Sequence, residues 1–469
     1  GHHLHRYSRP ARAMARRNDP GRDQRHAWHA RDVDRSQEPL RQGLLPDRQQ
    51  VRLLLCRCLA LGAGHEDGAG HGADACRALR RRVRCLEEGR WSGSEGGAEV
   101  RRPAAMSPDQ PIVPQPAIAD IPDFTSIPEY VARHARNYPA KAAVKCDGVV
   151  RSWAAFDKRV NRIARRLSEM GLGRGDKIAI LAANSIEYLE AFMGGLRAGV
   201  CVVPLSTMAA ADALEKMLDD CDAKVLFLSD QYRLLVEPYE ARLGKLIAGG
   251  RIAYDFTRPG WQGFEEWLAS ASDAPFSAAI DPLDDFNIIY SSGTTGLPKG
   301  ILHSHALRSQ LPVRFPAFDY GPDTVSIVST PFYSNTTLVA LLATVGVGGT
   351  SVLMRKSDAV RFLELAQSER ATHAMLVPVQ YQRILAHPDF DKYDLRSFKA
   401  KLSTSAPLRA QTKADAVKRW PGRLIEIYGL TEGGGSCILE ANLHPTKLHT
   451  VGLPGFGVEL RILDEQGRE

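Results

Sequence analysis

The chain has 469 residues and a mass of 51.5 kDa, which is room for roughly two to four domains. Hydrophobic residues make up 44% and charged residues 25%, so neither a fibre nor a wholly disordered chain is expected. The charge is uneven: residues 1–105 contain 21 Arg, no Lys and 13 acidic residues, a net charge of +8, whereas residues 106–469 carry −1. We predict no nucleic-acid partner for the longer segment.

Residues 1–105 contain no Ile and no Phe, so this segment cannot build an ordinary hydrophobic core. Its richness in Arg, Ala, Gly and Pro is typical of GC-rich DNA translated upstream of the true start or in another frame. We therefore predict a disordered or mistranslated extension. Two alternatives stay open: a basic arm that binds nucleic acid, using Tyr7, Trp28 and Trp91 to stack on bases, or a zinc site built from the segment's Cys and His residues.

No integral membrane segment is predicted. The longest apolar stretch, residues 338–349, is about a dozen residues and is broken by Thr344 and three glycines, whereas a span needs about 20 residues. The chain opens Gly-His-His-Leu-His-Arg with no apolar run behind it, so we predict no signal peptide and a cytoplasmic location. Four cysteines after Met106 lack C-x-x-C spacing and are expected to be reduced, buried thiols. They are Cys146, Cys201, Cys221 and Cys437.

From residue 106 onward, after a Pro-rich lead, helix and strand patterns alternate. Apolar residues recur at steps of four and three between Phe156 and Met170, which predicts a helix whose Lys and Arg face is solvated. A βαβ unit follows, with strands at 177–182 and 200–205 around a helix that begins near Asn184 or Ser185 and stops at Gly199. Two glycines inside that helix, Gly194 and Gly195, indicate that another backbone packs closely there.

Further strands are predicted between helical patterns. They cover residues 224–228, 285–290, 325–330, 350–354, 373–377 and 424–428. Strands that alternate with helices indicate an α/β fold with mainly parallel β-sheets and helices packed in layers.

The strongest chemical signal is the segment 290–300, with the sequence YSSGTTGLPKG. Its glycines let backbone N–H groups face an anion, its hydroxyls donate to phosphate oxygens, and Lys299 supplies a positive charge. It is not a Walker motif, because only two residues separate Gly293 from Gly296 and because Gly300 follows the lysine. The segment predicts a triphosphate cradle formed by Ser291, Ser292, Gly293, Thr294, Thr295, Gly296 and Lys299.

This segment resembles the adenylate-forming superfamily of acyl-CoA and aryl-CoA synthetases, peptide-synthetase adenylation domains and firefly luciferase. Other blocks match the family in the family's order: 139–205, its opening third; 403–408, its adenine-side segment; 428–432, its Tyr-Gly-x-Thr-Glu motif; and 451–454 with 457–464, which lead into a small β-barrel. The resemblance implies that residues 106–469 form the family's large N-terminal, AMP-binding domain, including the start of that barrel.

The resemblance also implies the reaction and the residues that serve it. A carboxylate attacks the α-phosphorus of ATP, pyrophosphate leaves, and the acyl group of the acyl-adenylate then passes to CoA. By resemblance, Thr294, Thr295 and Lys299 hold the β- and γ-phosphates, Thr431 contacts the α-phosphate, and Glu432 binds Mg²⁺. The implied catalytic residues are Lys299, Thr431 and Glu432. The implied nucleotide-binding residues beyond the cradle are Ser405, Ala406, Pro407, Tyr428, Gly429 and Thr431, with Tyr428 stacked on adenine.

The acid pocket is harder to define from sequence. Residues 332–335 fall at the family's aromatic gate, which often ends in His, but Ser334 takes that place here. Residues 377–381 are candidate pocket residues, although an ordinary helix start explains them equally well. The composition of these segments favours an apolar acid, either fatty, alicyclic or aryl. His303 and His305 follow the cradle, and both are expected to be packing or capping residues.

The sequence ends at Glu469, before the family's ribose-binding Asp and its C-terminal α+β domain, which carries a further Lys for adenylation. We therefore expect that domain to be absent. Two hypotheses remain open: an AMP-forming acyl-CoA synthetase that uses ATP, Mg²⁺, a carboxylic acid and CoA, or a catalytically impaired nucleotide-binding remnant of such an enzyme. A peptide-synthetase adenylation domain is less favoured, since the pocket segments offer no acidic residue for an ammonium group. The sequence does not indicate an oligomeric state.

Overall fold

The structure is a computed structural model that describes residues 124–292, 298–433, 436–455, 458 and 460–461. The predicted extension, residues 1–105, lies outside the described residues, as do Gly293, Thr294, Thr295 and Gly296 of the cradle and most of block 457–464. The helices are α1 Ile127–Asn137, α2 Trp153–Glu169, α3 Ile186–Arg197, α4 Ala211–Asp220, α5 Arg233–Val236, α6 Phe264–Ala269, α7 His305–Ser309, α8 Leu311–Arg314, α9 Asn335–Gly346, α10 Ala359–Ser368, α11 Pro378–Leu385 and α12 Ala410–Arg419. The strands are β1 Ala142–Cys146, β2 Val149–Ser152, β3 Lys177–Leu181, β4 Cys201–Pro204, β5 Val225–Leu228, β6 Arg251–Ala253, β7 Gln262–Gly263, β8 Asp285–Ser292, β9 Pro298–Ser304, β10 Val325–Val328, β11 Thr350–Leu353, β12 His373–Leu376, β13 Ala400–Ser403, β14 Arg423–Gly429, β15 Ser436–Glu440 and β16 Leu453–Pro454.

Two sheets carry these strands. One has nine strands in the order β16-β15-β14-β13-β12-β10-β11-β1-β2, and the other has seven in the order β7-β6-β5-β3-β4-β8-β9. Neighbours are parallel except for β1/β2, β14/β15, β15/β16 and β8/β9. The predicted α/β fold with mainly parallel sheets is confirmed. Within the described residues, β16 extends the nine-stranded sheet as its edge.

All eight predicted strands form, with ends that differ by at most two residues. The reason is burial on both faces: every residue of β4, β5, β11 and β12 is buried. A strand covered on both sides by helices is a short continuous apolar run, and such runs are easily recognised between turn signals.

The βαβ unit has the predicted caps. The Ser185 hydroxyl accepts a hydrogen bond from the Tyr188 backbone N–H (3.1 Å) at the start of α3. Gly199, with φ +76°, stands just after the end of this helix. The predicted close backbone is found at Gly194, where an added Cβ would lie 3.4 Å from the Val160 backbone oxygen of α2 and 2.3 Å from Ile163 Cγ2. At Gly195 the prediction is wrong: an added Cβ would meet only side chains, the nearest being Ile178 at 2.6 Å.

The prediction of a solvated cationic face on α2 is wrong for most of its arginines. Arg159 donates to Glu190 (2.8 Å) and Glu265 (2.7 and 2.6 Å), and Glu190 is fully buried. Burial raises the pKa of Glu190, while Arg159 and Arg151 act in the opposite direction. Helix α2 is therefore joined to α3 and α6 by a partly buried ion-pair network, and sequence periodicity cannot distinguish this from a surface.

Asn184 connects the two sheets. Its Nδ2 donates to the Thr330 carbonyl (2.8 Å) and the Met354 carbonyl (3.2 Å), and its Oδ1 accepts from the Phe332 N–H (2.9 Å). The asparagine follows β3 of the seven-stranded sheet, and its partners follow β10 and β11 of the nine-stranded sheet. One buried side chain thus satisfies three backbone groups where the sheets meet.

Two fully buried histidines make stability depend on pH. Burial lowers the pKa values of His305 and His373 from 6.5 to about 4. Between those values the unfolded chain binds protons that the folded chain does not, so the stabilisation is complete above about pH 6.5 and is lost as the pH falls toward 4. Near pH 5 we expect the two rings to lower the free energy of unfolding by about 2.7 kcal/mol per pH unit.

Urea unfolding at pH 7, 6 and 5 measures this slope. The variant His305→Phe replaces one titrating ring with an aromatic ring that also packs on Phe286, and it should remove about 1.4 kcal/mol per pH unit from the slope near pH 5. Equal free energies of unfolding at pH 7 and pH 5 would contradict the prediction.

In the described part of the chain, no helix is long and apolar enough to cross a membrane. The apolar stretch at 338–349 lies mostly in α9, which has 12 residues. The four cysteines named above are free and buried, as predicted. Burial raises the pKa values of Cys146 and Cys221 to about 11, so these thiols are protonated at neutral pH.

Candidate active site

The described residues of the predicted cradle lie on the paired strands β8 and β9. Ser291 is opposite Lys299, and Tyr290 is opposite Gly300. The Tyr290 hydroxyl donates to the Asp220 carboxylate (2.5 Å), which ties the base of the hairpin to α4. The Lys299 side chain is exposed and Ser291 is partly buried, so the charged group is accessible.

The predicted adenine-side residues follow β13 and lie beside the end of β14. These strands are parallel neighbours, and the Thr404 hydroxyl donates to the Ile427 carbonyl (2.7 Å) just beyond the paired residues. Ser405, Ala406 and Pro407 are exposed, and 54% of Tyr428 is accessible. An aromatic ring and a loop thus meet at the carboxyl ends of parallel strands, where ligands of α/β folds bind.

Ser405 adopts a backbone conformation that L-residues rarely take, with φ +76°. Its hydroxyl is hydrogen-bonded to the Thr336 hydroxyl of α9. Such strain persists only where the surroundings hold it, and it concentrates at ligand sites. The predicted adenine-side segment is therefore held in a set shape by a contact from the helix that follows the predicted acid gate.

A buried ion pair anchors the other end of that segment. The Glu426 carboxylate of β14 accepts from the Leu408 N–H (2.8 Å) and pairs with Lys413 of α12. The lysine also donates to the Thr450 carbonyl (2.8 Å). Both charged side chains are at most 4% exposed, so each satisfies the other in a region from which water is excluded.

A second buried network reaches the predicted motif at 428–432. His303 of β9 lies with Nε2 2.6 Å from the Thr431 carbonyl, and Arg308 donates to His303 Nδ1 (3.1 Å) and Asn287 Oδ1 (2.9 Å). Burial, and then the Arg308 charge, lower the pKa of His303 to about 3. Arg308 has a pKa lowered by burial to about 9, so it stays a cation at neutral pH.

This network brings two predicted catalytic residues toward one another. Residues four apart in a strand lie on the same face, so Lys299 and His303 project from one side of β9. The His303 ring touches Thr431, and Glu432, the next residue, is exposed. Strand β9 of the seven-stranded sheet and residues 431–432, the Thr-Glu segment that follows β14 of the nine-stranded sheet, are therefore in contact at His303.

The residues predicted for the acid pocket lie in two segments, 332–335 and 377–381. Phe332 packs edge-on against Tyr188 with ring centroids 4.9 Å apart, at the base of the predicted gate. Tyr381 is fully buried and donates to the Leu402 carbonyl, and Gln380 donates to Ser329 and Ser357. For the 377–381 segment the structure supports the alternative, an ordinary helix start.

Comparison with known proteins gives the family of this fold and site. Residues 131–469, well over half of the chain, match the AMP-binding enzyme family. The chain belongs to the AMP-binding enzyme family. Two similar proteins are a fatty acid–[acyl-carrier-protein] ligase, ScoC, from Streptomyces coeruleorubidus (26% identical over 74% of this chain and 67% of the relative) and an indoleacetate–CoA ligase from Aromatoleum aromaticum (28% over 73% and 67%).

Solved structures support the same fold. The anthranilate CoA ligase AuaEII, in complex with anthranoyl-AMP, superposes with a TM-score of 0.67 at 22% identity, over 75% of this chain and 68% of that one. The chain spans about two thirds of the length of the curated relatives it matches.

The donor set of this AMP-binding enzyme suits a magnesium-bound nucleotide. Among the described residues, no cluster of three or more His, Cys, Asp or Glu side chains forms a ready-made metal site. Mg²⁺ is commonly held by one or two carboxylates together with substrate phosphates, and Glu432 offers an exposed carboxylate beside the predicted phosphate contacts.

Motif reasoning missed the residues that hold this site in place. Asn184, Lys413, Glu426 and Arg308 are all buried polar residues outside the recognised contacts. Of these four, Glu426 could have been noticed from the sequence. It is two residues before Tyr428 in a strand, so its side chain is expected on the same face as the predicted adenine-stacking ring.

Proposed function

We propose that the chain activates an apolar carboxylic acid with ATP and transfers the acyl group to CoA. A carboxylate oxygen attacks the α-phosphorus, the bond to the bridging oxygen of pyrophosphate breaks, and an acyl-adenylate results. The CoA thiol then attacks the acyl carbonyl, loses its proton, and AMP leaves. A cytoplasmic location is part of the proposal.

The observation that carries the proposal is the contact between His303 and Thr431. It joins the hairpin that bears Lys299 to the segment that bears Thr431 and Glu432, although the two lie on different sheets. The reaction brings together two anions, the carboxylate and ATP. A positive charge from Lys299 near Thr431 and Glu432 would reduce the repulsion between them.

Each predicted residue has a distinct task in this scheme. Lys299, with Thr294 and Thr295, would hold the β- and γ-phosphates so that pyrophosphate leaves in line with the attack. Tyr428 would stack on adenine, with Ser405, Ala406, Pro407 and Gly429 around it. Glu432 would hold Mg²⁺, which, when bound, neutralises phosphate charge.

The acid class is proposed to be fatty, alicyclic or aryl. The printed names of a fatty acid ligase and an indoleacetate ligase among the relatives support an apolar acid. CoA is the proposed acceptor, and a carrier protein is the competing one, because both occur among the relatives.

The test is acid-dependent ATP–pyrophosphate exchange by the purified chain with Mg²⁺ and a panel of fatty, alicyclic, aryl and amino acids. Exchange with one apolar class would support the proposal, and thioester formation on adding CoA would support the acceptor. Silence with every acid would favour the impaired nucleotide-binding remnant. Exchange only with amino acids would favour a peptide-synthetase type of activity.

A further inference from the structure

The buried network around His303 has a fixed direction of hydrogen bonding. An arginine side chain only donates, so His303 Nδ1 accepts from Arg308 and the ring proton must be on Nε2. The Nε2–H group therefore donates to the Thr431 carbonyl, 2.6 Å away. Asn287 Oδ1 accepts from Arg308 Nε (2.9 Å), beside the nitrogen that donates to His303, and completes a chain of three side chains.

The network is isolated from solvent and from acids. Asn287, His303 and Arg308 are at most 3% exposed, and within the described residues Arg308 has no carboxylate partner. A buried cation without a carboxylate is costly, and here it serves to orient one imidazole ring. The ring of His303 donates to Thr431, and the next residue, Glu432, is the proposed magnesium ligand.

The Thr431 backbone has few other supports. The motif leaves β14 after Gly429, and Leu430 is 59% exposed. Gly433, at φ +84°, packs near Leu307 of α7. The Gly433 N–H also donates to the Leu430 carbonyl (3.2 Å) within the segment, and the His303 bond is a polar contact that joins the segment to β9.

We propose that His303 is a positioning residue: oriented by Arg308 and Asn287, it holds the Thr431 carbonyl and so keeps the Thr-Glu segment over the Lys299 face of β9. The proposal rests on the proposed function for its effect on catalysis, and on the hydrogen-bond geometry alone for its effect on the segment. His303 transfers no proton in this role.

Two substitutions test the hydrogen bonds of the two ring nitrogens of His303 separately. His303→Asn places an amide oxygen near the position of Nδ1, so it still accepts from Arg308 but cannot reach Thr431. His303→Gln places an amide nitrogen near the position of Nε2 and keeps the bond to Thr431. The matched control for packing is His305→Leu, since His305 is also fully buried but its ring nitrogens have no hydrogen-bond partner.

The first readout is backbone hydrogen exchange of Gly433, whose N–H donates to the Leu430 carbonyl (3.2 Å), in the full chain without ligand. We expect His303→Asn to speed exchange there at least tenfold, with His303→Gln within threefold of wild type and His305→Leu unchanged in this segment. Unchanged exchange in His303→Asn would overturn the proposal. If His303→Asn does not fold, Arg308→Met removes the donors to His303 Nδ1 and Asn287 Oδ1 one step back in the same chain, and unchanged exchange in that variant would overturn the proposal equally.

The second readout is ATP–pyrophosphate exchange with an accepted acid. We expect His303→Asn to lower kcat by ten- to a hundredfold with an unchanged KM for the acid, and His303→Gln to restore kcat to within threefold. Equal losses in both variants would overturn positioning in favour of proton transfer. If the wild-type chain is silent with every acid, the proposed function fails, and the hydrogen-exchange result alone decides whether His303 holds the segment.

Discussion

Replacing Lys299 with alanine is expected to lower acid-dependent ATP–pyrophosphate exchange by about two to three orders of magnitude, the usual cost of removing one group that stabilises transition-state charge. The lysine is exposed on β9, opposite Ser291 of β8, so its loss removes charge without opening a cavity. The free energy of unfolding should therefore change by less than about 0.5 kcal/mol.

The companion variant is Glu432→Ala, which should lower exchange by a similar factor and raise the Mg²⁺ concentration needed for half-maximal rate. The control is Lys418→Ala on the exposed side of α12, which removes one positive charge outside the predicted motifs and should leave the rate unchanged. Unchanged rates in both Lys299→Ala and Glu432→Ala would count decisively against the proposed function. A fall in Lys418→Ala as well would point to net charge instead of the site.

Replacing Lys413 with methionine is expected to cost about 3 to 5 kcal/mol in the free energy of unfolding at pH 7, measured by urea denaturation. The substitution keeps the aliphatic packing but leaves the Glu426 carboxylate buried without its cation. An isolated buried charge costs far more than an intact pair contributes. The Thr450 carbonyl also loses its donor.

The double variant Lys413→Met, Glu426→Gln separates charge from shape. Its neutral amide still has an oxygen for the Leu408 N–H, so it should recover more than half of the loss. A single variant within about 1 kcal/mol of wild type would show that water or a rearranged neighbour compensates the carboxylate.

The strands were predictable from sequence because a buried strand is a short run of apolar residues between turn residues. Residues 225–228 are an apolar run between turn signals and form the fully buried β5. The order of strands was not predictable, because an apolar run does not specify which neighbour it will pair with. Arg159 was misjudged for a related reason: a charged residue on a helix has the same periodicity whether it meets water or a buried Glu190.

The site was predictable where chemistry is contiguous in sequence. The cradle at 290–300 and the motif at 428–432 each carry enough residues to be recognised. The contact that joins them was not predictable, since His303 and Thr431 are 128 residues apart and a lone histidine indicates little. The roles of the recognised residues, including those at 293–296 outside the described residues, stay predictions until variants are assayed.

Asn184 sets limits for anyone who wants to redesign acid preference. Its bonds go to backbone groups of Thr330, Phe332 and Met354 and fasten the start of the predicted gate to the opposite sheet, so a change of Asn184 itself would remove all three bonds. A combinatorial library should therefore keep Asn184 fixed. The positions to randomise are residues 333–335, which follow the backbone groups bonded to Asn184 and have side chains that are only partly buried.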